Sequence, residues 1–172
     1  MHLNDPSSIQ PSRSGHPARA VDDGRDGERT PMQWDDTANA GFTTASPWLP
    51  VPSSASTVNV KAEENAPDSL LAWYRALIRL KKTTPALERG SITMLDTGNT
   101  KVLSWMRHAP GVPTVLVSLN FTAEPQTVDL AGVRTGAEGK LRTLLKSPGE
   151  ADPARPARIV LGPFGVYIGE IQ

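Results

Sequence analysis

The feature that most restricts this chain is one stretch of helical period, Pro67 to Lys82, set in a sequence otherwise broken by turns. Leu70, Leu71, Tyr74, Leu77 and Ile78 recur at the i, i+3/i+4, i+7 spacing of an amphipathic helix, and Trp73 and Leu80 widen the stripe. Asn65 or Asp68 can accept from the unpaired N–H groups at its start. Pro67 suits a first turn, and Asp68 complements the positive end of the helix dipole. Arg79, Lys81 and Lys82 sit near the negative end, and Pro85 disfavours helical geometry at Thr84, ending the helix there. So broad an apolar face requires a surface to cover it, and one small β-domain does not supply all of it. The aromatic residues at helical spacing read as packing rather than as a cofactor site.

Beyond Gly90 the pattern changes to short runs rich in Val, Ile, Leu and Thr. They are Ser91–Leu95, Lys101–Arg107, Thr114–Leu119, Gln126–Leu130, Leu141–Leu145, Arg158–Leu161 and Phe164–Ile171. Turn-forming pieces such as Asp96-Thr97-Gly98-Asn99 and Ser147-Pro148-Gly149 separate them. Val102, Ser104 and Met106 alternate with Leu103, Trp105 and Arg107, as the two faces of a strand require. Short, closely spaced strands predict an antiparallel β-sandwich, so the fold class is mainly β.

Upstream of the helix no period holds. Residues 1–23 contain Pro6, Pro11 and Pro17 and few large apolar side chains, too few to offset the ordering entropy of about 1–2 kcal/mol per residue. They read as a disordered arm. From Gly24 to Val60, Met32, Trp34, Phe42, Trp48, Leu49 and Val51 are scattered among prolines and glycines. Long loops of this kind serve as lids or binding loops. For Trp34, Phe42 and Trp48 the preferred reading is that they pin the loop to a core.

Charge and composition exclude several classes. Lys and Arg total 18 and Asp and Glu total 18, so the formal net charge is zero. That balance argues against a nucleic-acid partner or a polybasic membrane surface. No apolar run approaches the ~20 residues of a spanning helix and no secretory pattern is seen, which predicts a cytoplasmic protein without a membrane partner. With no cysteine, thiol catalysis and thiolate metal sites are removed. His2, His16 and His108 lie too far apart in sequence for metal-ligand spacing, so neither metal nor cofactor is expected. Glu63-Glu64 are adjacent rather than facing and read as a solvated charge pair.

Four ordered blocks carry more information. Gly24-Arg25-Asp26-Gly27-Glu28-Arg29-Thr30-Pro31-Met32-Gln33-Trp34-Asp35 is followed by Asn39-Ala40-Gly41-Phe42-Thr43, Pro47-Trp48 and Asn59-Val60. Asp68-Ser69-Leu70-Leu71-Ala72-Trp73-Tyr74-Arg75-Ala76-Leu77-Ile78 comes next, then Pro85-Ala86-Leu87 with Gly90, then Leu119-Asn120-Phe121-Thr122. Together they resemble the C-terminal part of α-glucosidases and oligo-1,6-glucosidases of the α-amylase clan, glycoside hydrolase family 13. The resemblance is tight from Gly24 to about Gly90 and looser beyond.

The resemblance implies a (β/α)8 barrel ending in the helix near residue 70, with residues 24–89 its remnant and 90–172 a C-terminal β-domain. It implies retaining hydrolysis or transfer of α-linked glucose, using a nucleophile and an acid/base about 5–5.5 Å apart. Those carboxylates lie upstream of the Gly24 block in the family. No D-x-x-x-N-H, G-F-R-x-D-x-A or N-H-D occurs here, so no catalytic residue is assigned and activity of this chain alone is not expected. Arg25 corresponds to an arginine that lines the pocket mouth and binds sugar hydroxyls, work suited to the guanidinium's fixed fork of donors. Arg29 is the second candidate, with a salt bridge holding the loop preferred over a sugar contact. Val51-Pro52-Ser53-Ser54 departs from the family's V-N-P-N-Y, which puts a sugar contact there in doubt. Asn120-Phe121-Thr122 fits a glycosylation acceptor but reads as a strand end. The implied partners are an α-glucosidic oligosaccharide and a barrel encoded separately. The competing reading is a non-catalytic carbohydrate-binding or interaction β-sandwich, using exposed aromatics as sugar platforms.

Overall fold

The computed structural model describes residues 29–95, 97–130, 140–153 and 158–172 of the chain. The arm assigned to residues 1–23, and Arg25, lie outside them. The chain divides into two compact units, one ending at Ala72 and the other beginning at Trp73.

The second unit is mainly β and antiparallel. Its strands are β1 (Ser91–Leu95), β2 (Val102–His108), β3 (Thr114–Asn120), β4 (Gln126–Asp129), β5 (Leu141–Lys146), β6 (Arg158–Leu161) and β7 (Val166–Ile171). Five form one sheet in the order β1-β2-β3-β7-β5, and β4 pairs with β6 in a second. All seven apolar runs became strands, β1 and β6 with the same bounds and the others with ends displaced by one or two residues. The last strand begins at Val166 rather than Phe164. Phe164 has a left-handed φ of 53° and Gly165 N–H donates to Gly162 O, so a turn occupies those positions.

Two clusters bury opposite faces of the five-stranded sheet. Leu116, Tyr167 and Ile171 join Val128 and Leu130 with Ile159 and Leu161 of β6. Val115, Val117 and Ile168 join Ala86, with Leu77, Leu80, Leu87 and Trp105 packed alongside. β3 is covered on both faces, and for that reason it reads as a nearly continuous apolar run rather than an alternation. Its buried Ser118 lies opposite Ser104 in the ladder, and their hydroxyls bond at 2.9 Å, which satisfies a polar pair that would otherwise cost stability. Tyr167, 1% exposed, lies over Gly169: a Cβ there would sit 2.5 Å from the phenol oxygen. The Thr143 hydroxyl donates to that oxygen at 3.2 Å. Burial pushes the Tyr167 phenol above its ordinary pKa.

The helices depart from expectation in number and start. α2 spans Leu70–Thr83, beginning later than Pro67. Its caps are Ser69, whose hydroxyl accepts from Ala72 N–H at 3.1 Å, and Glu63, whose carboxylate accepts from Leu71 N–H at 2.8 Å. Neither Asn65 nor Asp68 serves as its cap. Two five-residue helices were not anticipated, α1 (Val60–Glu64) and α3 (Pro85–Arg89). Pro85 opens α3 where it was read only as a stop, because proline's missing N–H costs nothing in a first turn. From β2, Arg107 donates to the carbonyls of Ala86 and Leu87. Leu77 and Leu80 of α2 reach the second cluster, while Leu70, Tyr74 and Ile78 stay exposed. No helix among the described residues is long and apolar enough to cross a membrane.

Candidate functional site

From Arg29 onward, the block that carried the family resemblance folds as a loop held by its own polar groups. Trp34 and Asp35 N–H both donate to Ala40 O, at 2.9 and 3.3 Å. The turn that makes this possible runs through three successive left-handed residues, Asn39 (φ 52°), Ala40 (φ 55°) and Gly41 (φ 66°). Asn39 tolerates that region better than most residues and Gly41 without strain. A Cβ at Gly41 would also lie 2.8 Å from Asp35 Oδ1, so the carboxylate packs where a side chain cannot. Asp35 accepts from the hydroxyl and the N–H of Thr37, and these bonds hold its pKa below the usual carboxylate value, the hydroxyl contributing most. Asn39 Nδ2 donates to Thr43 O at 3.1 Å and Ala45 O at 3.0 Å, fixing the following segment.

The loop is tied to α1 within the same unit. Val60 and Lys61 N–H donate to the carbonyls of Gln33 and Trp34, at 2.9 and 3.0 Å. Buried Asn59 caps α1 by accepting from Ala62 N–H at 2.8 Å while its amide donates to Ala55 O. Asp35, Asn39, Gly41 and Asn59 were therefore missed as determinants of this loop. Asn and Gly at turn positions, and Asn before a helix, were the available signals.

The candidate residues fare differently. Arg25 is outside the described residues. Arg29 opens the described loop and is exposed. Trp34 and Phe42 are each 50% exposed and Trp48 is 64% exposed, so none is anchored in a core as expected. Pro31, Ala40, Leu49 and Ala55 supply the buried apolar side chains of this region. Glu63 is not a solvated partner of Glu64: its carboxylate holds the start of α2, and its carbonyl accepts from the Ser69 hydroxyl. Among the described residues no three His, Asp or Glu converge as metal ligands.

In the second unit, Asn120 is buried and its amide is spent on the carbonyls of Glu124 and Gly162, at 2.8 and 2.7 Å. Its Oδ1 accepts from the N–H and hydroxyl of Thr122, which makes it a strand terminator. A cavity of about 400 Å³ lies among Trp73, Leu77, Leu80, Trp105, Val117 and Ile168, with Lys81 and Arg107 at its wall. Its apolar lining offers few partners to the hydroxyls of a sugar.

Residues 7–90 match the family model described as the α-amylase catalytic domain. The chain is 42% identical over 101 residues to an oligo-1,6-glucosidase of Bacillus cereus, covering 59% of this chain and 18% of that protein. It is 37% identical over 122 residues to a glucan 1,6-alpha-glucosidase of Streptococcus pneumoniae, covering 71% and 21%. Among solved structures, trehalulose synthase MutB from Pseudomonas mesoacidophila superposes with a TM-score of 0.75 at 39% identity, covering 86% of this chain and 26% of that one. The chain thus spans about a fifth of the curated relatives' length. The described loop and α2 lie within the matched residues 7–90, and the chain belongs to the α-amylase family, glycoside hydrolase family 13.

Proposed function

We propose that this chain is the C-terminal part of a retaining α-glucosidase acting on α-linked gluco-oligosaccharides, and that it does not turn them over alone. The observation that carries the reading is the catalytic-domain match over residues 7–90 in a chain spanning about a fifth of its glucosidase relatives. In this reading residues 24–89 end a (β/α)8 barrel, with α2 as its last helix. Residues 90–172 form the C-terminal domain, its two sheets stacked as a sandwich. Arg25 binds sugar hydroxyls at the pocket mouth, and Arg29 either holds the loop it opens by a salt bridge, the preferred role, or joins Arg25 on the sugar.

Retaining cleavage needs a nucleophile and an acid/base about 5–5.5 Å apart, and the remaining barrel, attached or separately encoded, supplies them. The exposed Leu70, Tyr74 and Ile78 stripe of α2 supports such a partner, since water is a poor neighbour for that much apolar surface. Incubation of the pure chain with maltose, isomaltose or a chromogenic α-glucoside should give no turnover. Sustained release of glucose that survives repeated purification would overturn the reading.

One observation favours a second reading, a non-catalytic carbohydrate-binding module. Phe121 and Phe164 are both exposed, and Phe164 N–H donates to Thr122 O, so the two rings stand on adjoining turns. Quenching of tryptophan fluorescence by oligosaccharide, abolished by Phe121→Ala and untouched by Arg29→Ala, would favour it over the first.

A further inference from the structure

The two edges of the five-stranded sheet are built differently. At one end β5 carries Arg142 and Lys146, a register irregularity between Thr143 and Leu145, an ion pair from Arg142 to Glu170 and another from Lys146 to Asp152 at 2.9 Å. Charge and irregularity of this kind discourage a neighbouring strand from pairing. At the other end β1 reads Ser91-Ile92-Thr93-Met94-Leu95, with no charge, no proline and no irregularity in its pairing to β2. Among the described residues β1 pairs with β2 alone, and Ser91 to Met94 are all exposed.

We infer that β1 is a self-association edge, and that its partner is β1 of a second copy of this chain, paired antiparallel about a two-fold axis at Thr93. The strand is complementary to itself in that register. Ile92 falls opposite Met94 of the second copy and Met94 opposite its Ile92, so two apolar cross-strand pairs form on one face. Ile92 and Met94 are 58% and 57% exposed in the single chain, and both lie on the face of the sheet that carries Trp105 and Arg107. Thr93 meets its own equivalent on the other face. The same operation pairs main-chain groups that β1 otherwise leaves to water, and it is closed, so it stops at two copies.

A five-residue edge makes a small interface, so the dimer is weak and its population follows concentration. Sedimentation velocity of the full chain, across roughly a hundredfold range of concentration, should pass from monomer to dimer with no larger species. Thr93→Lys sets two like charges directly opposite each other and should weaken the dimer about tenfold or more. Met94→Lys, at an exposed position that folding does not require, should also weaken it. Ile78→Lys on α2 should leave it unchanged. A chain that stays monomeric throughout, open-ended aggregation, or a dimer lost in Ile78→Lys but retained in both strand variants would each overturn the assignment. None of these outcomes depends on whether the chain belongs to an enzyme that cleaves glucosides.

Discussion

The loop at residues 29–64 and the β unit beyond Trp73 solve the same problem in opposite ways. The loop holds itself with hydrogen bonds between backbone and short polar side chains: Asp35 with Thr37, Asn39 with Thr43 and Ala45, Asn59 with Ala55 and Ala62. Its large apolar side chains, Met32, Trp34, Phe42 and Trp48, are turned outward. The β unit instead buries its large side chains on both faces of one sheet and spends few polar groups inside. Net stability follows apolar burial far more than it follows hydrogen bonds, each worth about 0.5–1.5 kcal/mol. The β unit therefore carries its own stability, while the loop has a defined shape with little to keep it from opening.

The largest test of this contrast is a pair of truncations. Leu116→Ala removes a fully buried side chain from the sheet and should cost about 2–5 kcal/mol, read as a fall in the urea midpoint. Phe42→Ala removes a larger side chain from the loop and should change stability by less than about 1 kcal/mol, because half of it is already in water. A loss at Phe42 equal to that at Leu116 would break the comparison.

Gly41→Ala gives a smaller, local effect. A left-handed φ of 66° costs an alanine roughly 1–2 kcal/mol, and its Cβ would press on Asp35. The Trp34 and Asp35 amides, which bond to Ala40, should exchange faster while the unfolding midpoint of the β unit stays put. Movement of that midpoint by the same amount would mean that the loop is part of the cooperative core.

Acid should produce the smallest change. Bonds from Thr37 hold the Asp35 pKa down, and the Lys146 ammonium does the same for Asp152. A carboxylate whose folded pKa is depressed contributes stability that is present above its unfolded pKa of about 3.9 and is lost as pH falls through the folded value. Asp152 is exposed and Asp35 only half-buried, so acidification below about pH 4 should loosen the loop, and the segment around Asp152, only slightly. Thr37→Val removes the hydroxyl but keeps the N–H bond, so it should reduce the part of that pH dependence that belongs to Asp35, which titration of the carboxyl by NMR would read.

What was legible in the sequence divides along the same line. Seven strands were readable because alternation and turn residues are local signals, and the long helix because its period is sustained. α1 and α3 were not, since five residues do not complete a recognisable period. The start of α2 was misplaced because its caps depend on Glu63 reaching across eight positions, a contact that spacing does not announce. The loop was recognised as a family block, yet its shape was hidden: three successive left-handed residues leave only Asn39 and Gly41 as a trace. The exposure of Trp34, Phe42 and Trp48 was read the wrong way because an aromatic residue is anchored only if the chain holds a surface to receive it. Of the two arginines assigned to sugar, Arg29 lies on the described loop and Arg25 outside it.

The central claim is that stability resides in the β unit while the loop keeps its shape mainly by hydrogen bonds within its own unit. Native-state amide exchange on the isolated chain tests it most directly. The Leu116, Val117 and Ile168 amides should exchange only through global unfolding, and those of Trp34 and Phe42 on the order of 100-fold faster or more, through local opening. Equal protection in the two regions would contradict it.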